Sequence, residues 1–163
     1  MRIIGIDPGT ARMGYSILEV MPRKKSQPKI LKTDVLITPA GVDMHKRLHM
    51  LYDGINEIVS AHSPEIMVIE KLFFNTNVKT AITVGQARGV AMLSAAQNGL
   101  SVYEYTALEA KRLLTGYGRS SKKEMQVAVK DSLKLDSLVK SDDANDAVAI
   151  ALCFIMKDMV RDL

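Results

Sequence analysis

Apolar residues fall in short dense runs through the first third of this chain and in longer spaced patterns after it, and the two rhythms predict different elements. Residues 2–7 (RIIGID) are almost continuously apolar up to the turn signal Asp7-Pro8-Gly9, which predicts a buried strand. Residues 13–20 and 30–37 predict two further strands, joined by the polar, proline-bearing connector MPRKKSQPK; a link of that length implies an antiparallel start. Leu48, Leu51, Ile55, Ile58 and Val59 repeat with helical spacing, so residues 42–61 read as an amphipathic helix, followed by a strand over 65–70. Residues 79–98 predict a helix rich in small side chains, with Gly99 placed to cap its end. A strand over 100–105 leads into Thr106-Ala-Leu-Glu109, and Ser121-Lys-Lys-Glu124 repeats the same form. Each is a capping box that starts a helix, and the glycine-marked TGYGRSS loop lies between them. The last helix is expected over about 143–160, with Ala147, Ile150, Ala151 and Phe154 on its inner face. The order βββαβαβααα predicts an α/β fold. Its five-stranded mixed sheet carries helices on both faces, and right-handed crossovers make the later strands parallel to the first.

Length and composition narrow the class without naming it. The 163 residues suit one domain, 1–163, too small for two lobes around a cleft. Apolar residues make up 47% and charged residues 25%, ordinary values for a globular protein. No apolar stretch reaches the roughly 18 to 20 residues that cross a bilayer, and MRIIGID lacks a signal-peptide core, so no membrane association and a cytoplasmic location are expected. The single Cys153 excludes an internal disulfide and any multi-cysteine metal site, and its place on the last helix predicts a buried small hydrophobe. A net charge of +4 agrees with nucleic acid binding, although many unrelated proteins share it.

The acids change the picture. Asp7 and Glu70 end two apolar strands expected to run side by side in parallel, which places both at one sheet edge, the usual location of an α/β active site. Asp143 and Asp146, three apart, share one face at the start of the last helix, while the neighbouring Asp142 reads as its N-cap. Each has a plainer reading, Asp7 as a turn former and the helix acids as dipole compensation. Four carboxylates brought together would repel one another and shift upward in pKa unless a cation neutralised them, so the set implies a hard divalent metal. Two magnesium ions roughly 4 Å apart would serve phosphodiester cutting. Cations gather in the middle third: Lys71, Lys79, Arg88, Lys111, Arg112, Arg119, Lys122 and Lys123 are candidates to hold phosphates. Phe73 and Phe74, directly after the Glu70 strand, are candidates to stack on or wedge between bases. His45, His49 and His62 lack a third ligand and read as surface residues.

Four blocks, IIGIDPGTARMGYSI, IEKLFFNTNVKTAITVGQARG, VYEYTALEAKRLLTGYGRSSKKEMQ and DDANDAVAIALC, resemble in order and spacing the RuvC-type Holliday junction resolvases of bacteria. The resemblance implies an RNase H-like fold, a homodimer, and magnesium- or manganese-dependent paired nicking of four-way DNA junctions in recombination and repair. It implies that Asp7, Glu70, Asp143 and Asp146 are catalytic metal ligands, that Phe73 stacks on bases, and that Lys111 and Lys122 lie near the scissile phosphate. It also implies action alongside a branch-migration helicase complex. The segment LVKSDDAND departs from the family pattern in its missing proline and in its residues before the acids, and Lys123 stands where a non-basic residue is usual. A symmetric dimer would supply two active sites from one surface patch, for which the helix from Lys79 to Asn98, with Ala81, Gly85 and Gly89, is the candidate; packing on its own sheet is the alternative. Three rivals remain: a nucleotide-binding protein of the actin and sugar kinase type, a small RNase H-like nuclease for ribosomal RNA maturation, and a junction-binding module without activity. The kinase type needs a second lobe, the Phe-Phe loop and the Gly-Gln-Ala-Arg-Gly helix favour the resolvase over the RNA nuclease, and all four acids argue against loss of activity.

Overall fold

The computed structural model describes residues 1–21, 27–72 and 78–159. Five strands, β1 (Arg2–Asp7), β2 (Arg12–Glu19), β3 (Lys29–Ile37), β4 (Ile66–Glu70) and β5 (Ser101–Tyr105), form one sheet in the order β3-β2-β1-β4-β5. β1 pairs antiparallel with β2, and β2 with β3; β1 with β4 and β4 with β5 pair in parallel, as the element order requires. Much of the polar connector between β2 and β3 lies outside the described residues. α1 (Met44–His62) and α2 (Val78–Gln97) cover one face; α3 (Ala107–Thr115), α4 (Lys122–Ser132) and α5 (Asp142–Lys157) cover the other.

Alternation along the strands sorts the core. Ile4 and Ile6 of β1, Met13, Tyr15 and Ile17 of β2, and Met67 and Ile69 of β4 meet α1 and α2, while Ile3, Leu18 and Val68 meet the α5 side. Both capping boxes form: Thr106 Oγ1 accepts from the Glu109 N–H at 3.0 Å and Ser121 Oγ from the Glu124 N–H at 3.2 Å, with each glutamate reaching back to its cap. Gly99 ends α2 at a φ of 69°, as the sequence predicts.

Two expectations about α5 are corrected. Its N-cap is Ser141, not Asp142, which lies within the first turn. Side-chain hydrogen bonds explain why: Asp142 accepts from Lys122 Nζ at 3.1 Å and Gln126 Nε2 at 3.0 Å, so its carboxylate turns toward α4 rather than back over its own helix. Nor does α5 bury a single face. Val148, Ala149, Leu152 and Cys153 are as buried as Ala147, Ile150, Ala151 and Phe154, because α3 and α4 close over the side turned away from the sheet. Cys153 is the buried hydrophobe the sequence suggests.

α5 presses on bare backbone. A Cβ at Gly5 of β1 would lie 2.1 Å from the Ala147 carbonyl oxygen, and one at Gly14 of β2 would lie 1.9 Å from that of Asp143. Between them Ser16 Oγ donates to the Ala147 carbonyl oxygen at 3.0 Å. Gly14→Ala and Gly5→Ala must therefore push the helix outward. We expect each to cost about 1–3 kcal/mol, with the melting temperature falling by roughly 2–4 °C per kcal/mol in calorimetry.

Candidate active site

Parallel pairing of β1 with β4 aligns Ile6 with Ile69, so Asp7 and Glu70 emerge side by side at the carboxyl edge of the sheet. Asp7 is also opposite Gly14 in the β1–β2 register, and Gly14 is the residue on which the start of α5 rests. The same contact that seats α5 thus brings Asp143 and Asp146 to the edge that carries Asp7. Lys111 of α3 and Lys122 at the start of α4 line one cavity with Glu70 and Asp146, floored by Met125 and Ile150.

The electrostatics record this crowding. Burial, with the charges of Glu70, Asp146 and Asp143 added, pushes the Asp7 carboxyl up to about 8, and a hydrogen bond joins it to Glu70. Glu70 is also raised by burial, opposed by that hydrogen bond and by the Lys111 charge, so the pair shares a proton carried by Asp7. Asp146 rises to about 6, again through burial first and the Glu70 charge next, with Lys122 pulling it down. Asp143 is turned aside: Arg12 Nε donates to its Oδ2 at 2.6 Å. Asp7, Glu70 and Asp146 are near enough to shift one another, yet among the described residues no three histidine, cysteine, aspartate or glutamate side chains stand close enough together to hold a metal ion as they are. Protons and arginine hold the charge in this arrangement.

A family model described as crossover junction endodeoxyribonuclease RuvC matches residues 3–154. The chain belongs to the RuvC family. A relative named crossover junction endodeoxyribonuclease RuvC from Caldanaerobacter subterraneus is 45% identical over 94% of this chain and 91% of its own length. Another of that name from Moorella thermoacetica is 47% identical over 94% of this chain and 90% of its own. The solved structure of Thermus thermophilus RuvC in complex with Holliday junction substrate superposes with a TM-score of 0.90 at 27% identity, covering 99% of this chain and 96% of that one. The mixed sheet and its flanking helices are therefore the RuvC, RNase H-like arrangement that the sequence implied.

Other residues singled out in the sequence are placed more variously. Arg119 is exposed in the loop between α3 and α4, and Arg112 is exposed on α3, on the same side as that loop. Lys123 lines a separate groove with Tyr117 and Asp131, without the four acids. Arg88 is partly buried and ion-paired with Glu104 of β5, which lies beside Ile69 in the β4–β5 register. Lys71 directly follows Glu70 and is exposed, and Lys79 lies in the first turn of α2. Phe73 and Phe74 lie outside the described residues. His45 and His49 are exposed, the latter 3.3 Å from Asp53, and His62 is half-buried at the end of α1. Sequence reasoning missed Arg12, whose carboxylate partner lies 131 residues away.

The raised carboxyls fix the sign of a pH effect. An unfolded aspartate releases its proton near 3.8, whereas the fold keeps that of Asp7 to about 8, so between those values the folded state binds more protons and its stability falls as pH rises. We expect the metal-free melting temperature to decline from pH 5 to pH 8, and magnesium to raise it more at pH 8, where fewer protons compete. Asp7→Asn, which removes the charge and keeps the shape, should stabilise the metal-free protein at pH 8 by about 1–3 kcal/mol in thermal melts.

Proposed function

We propose that this chain is a structure-selective endonuclease that resolves four-way DNA junctions by paired symmetric nicks. The observation that carries the reading is that Glu70 and Asp146 line one cavity with Lys111 and Lys122, within electrostatic reach of Asp7 at the same sheet edge, in a RuvC-family chain. The donor set fits a hard divalent cation, because it is all oxygen and its carboxyls are raised by burial and mutual repulsion, the penalty that a cation relieves. Asp7, Glu70, Asp143 and Asp146 would hold magnesium, two ions per site, with manganese able to substitute. Bound there, the ions would supply Lewis-acid activation of water and neutralise charge on the scissile phosphate.

The remaining work falls to this chain's own side chains. Lys111 and Lys122 face the acids across the cavity and would hold the phosphate oxygens in position. Lys122 is tethered to Asp142, so α4 and α5 orient it together. Arg112, Arg119, Lys71, Lys79 and Lys123 would add sequence-independent attraction for the DNA backbone, and Phe73 would stack on bases opened at the crossover.

Two symmetric nicks call for two sites, and α2 offers a surface for a homodimer. Its small residues divide between two faces: Ala87, Ala91 and Ala95 are buried in the core, whereas a Cβ at Gly85 or Gly89 meets nothing within 4 Å. Val78, Ile82 and Leu93 are exposed on the same helix. This apolar, partly side-chain-free stripe suits close approach by a second copy. A branch-migration motor as a partner rests on the family alone, and no surface is assigned to it.

Synthetic four-way, three-way and linear DNAs incubated with and without magnesium test the function. We expect paired nicks only in the four-way substrate and only with metal. Asp7→Asn, Glu70→Gln, Asp143→Asn or Asp146→Asn should reduce cleavage by about a thousandfold while junction binding is kept or tightened, since removing negative charge does not weaken attraction to phosphate. Lys111→Ala or Lys122→Ala should slow cutting by about a hundredfold with a far smaller loss of binding. Wild-type turnover by Asp7→Asn, or equal cutting of linear DNA, would refute the reading. For the dimer, sedimentation should show two chains per junction for the wild type and one for Gly89→Trp, at an exposed position where an added Cβ meets nothing within 4 Å.

A further inference from the structure

Several of the acids at the carboxyl edge are balanced by the chain itself. A proton is shared by Asp7 and Glu70, Lys122 pairs with Asp142 and also draws on Asp146, and Arg12 pairs with Asp143. The last pairing is the odd one, because the proposed function needs Asp143 free to meet a cation. Arg12 Nε donates to Asp143 Oδ2 at 2.6 Å, and its Nη2 donates to Ser141 Oγ at 3.3 Å. The guanidinium therefore spans the N-cap and the first turn of α5. Its backbone belongs to β2, two residues before the Gly14 that faces Asp7, so it can leave Asp143 only by side-chain rotation and must stay at this edge.

We propose that Arg12 is the resident counter-ion of Asp143, that a divalent cation displaces it, and that the freed guanidinium then takes a DNA phosphate. This rests on the reading of Asp143 as a metal ligand. Three observations support it. The side chains are 49% and 32% accessible, so solvent screens the pair and a divalent charge competes with it effectively. Arg12 takes an oxygen of Asp143 that the proposed ligand set needs, while Glu70 and Asp146 line the cavity shared with Lys111 and Lys122. A planar guanidinium matches phosphate as well as it matches carboxylate, so the released group has a use at the edge where the backbone is cut. Metal and DNA then reinforce each other: the ion takes the carboxylate, and the DNA takes the cation that the carboxylate gives up.

Manganese titration without DNA, followed by electron paramagnetic resonance, tests the displacement on wild type, Arg12→Gln, Arg12→Lys and Asp143→Asn, with circular dichroism to verify folding. Arg12→Gln should bind manganese about threefold more tightly than wild type, since the competitor is gone, and Arg12→Lys should return toward wild type. Equal or weaker binding by Arg12→Gln would overturn the proposal and make Arg12 a support for Asp143. Asp143→Asn separates the two levels. Weakened manganese binding there upholds the ligand reading whatever Arg12 does, and unchanged binding would refute that reading itself. The hand-over is read from junction affinity in calcium against chelator: the gain on adding calcium should be smaller in Arg12→Gln than in wild type. An equal gain in both would overturn the transfer to phosphate.

Discussion

The contact of α5 with the side-chain-free backbone of β1 and β2 governs the rest of this structure. Gly5 and Gly14 remove the two Cβ atoms that would strike the Ala147 and Asp143 carbonyls, and Ser16 adds a hydrogen bond between them. A helix seated at that depth carries its first turn over the residue that faces Asp7 across the β1–β2 pair. The acids therefore meet because of backbone packing, not because they attract one another. Left to electrostatics alone they would separate.

Packing that forces like charges together has to be offset, and the structure offsets it in two ways, by a retained proton and by ion pairs. Asp7 and Glu70 keep a proton, Asp142 takes Lys122, and Asp143 takes Arg12. The same arrangement anchors α4 to α5 through Asp142, which also receives Gln126. Lys122 is in this way both a tether between helices and a cation at the mouth of the cavity it shares with Glu70 and Asp146. A site of this kind is destabilising when empty of cations, a common cost of function.

Much of this was legible in the sequence where the signal is local. Short strand-length runs marked the five strands, two Ser/Thr-x-x-Glu segments marked the starts of α3 and α4, and the order of elements implied which strands are parallel. Parallel β1 and β4 in turn placed Asp7 beside Glu70. What escaped depends on contacts distant along the chain. Asp142 looks like an N-cap until Lys122 and Gln126 of another helix claim it. α5 reads as one-faced until α3 and α4 are known to cover its back. Arg12 carries no local mark, since an arginine at the start of a strand is ordinary and only the close seat of α5 brings Asp143 to it. The two glycines were visible as residues, but their purpose shows only against the helix that needs their missing side chains.

We propose that this packing prepares one cation-binding edge from Asp7, Glu70, Asp143 and Asp146. The most direct measurement is anomalous scattering from crystals of the protein soaked in manganese, recorded at the manganese absorption edge. The account predicts anomalous peaks among these four carboxylates, with the Asp143 carboxylate turned inward and Arg12 withdrawn from it. Manganese peaks elsewhere on the surface, with Asp143 still bound to Arg12 and no density at the sheet edge, would contradict it.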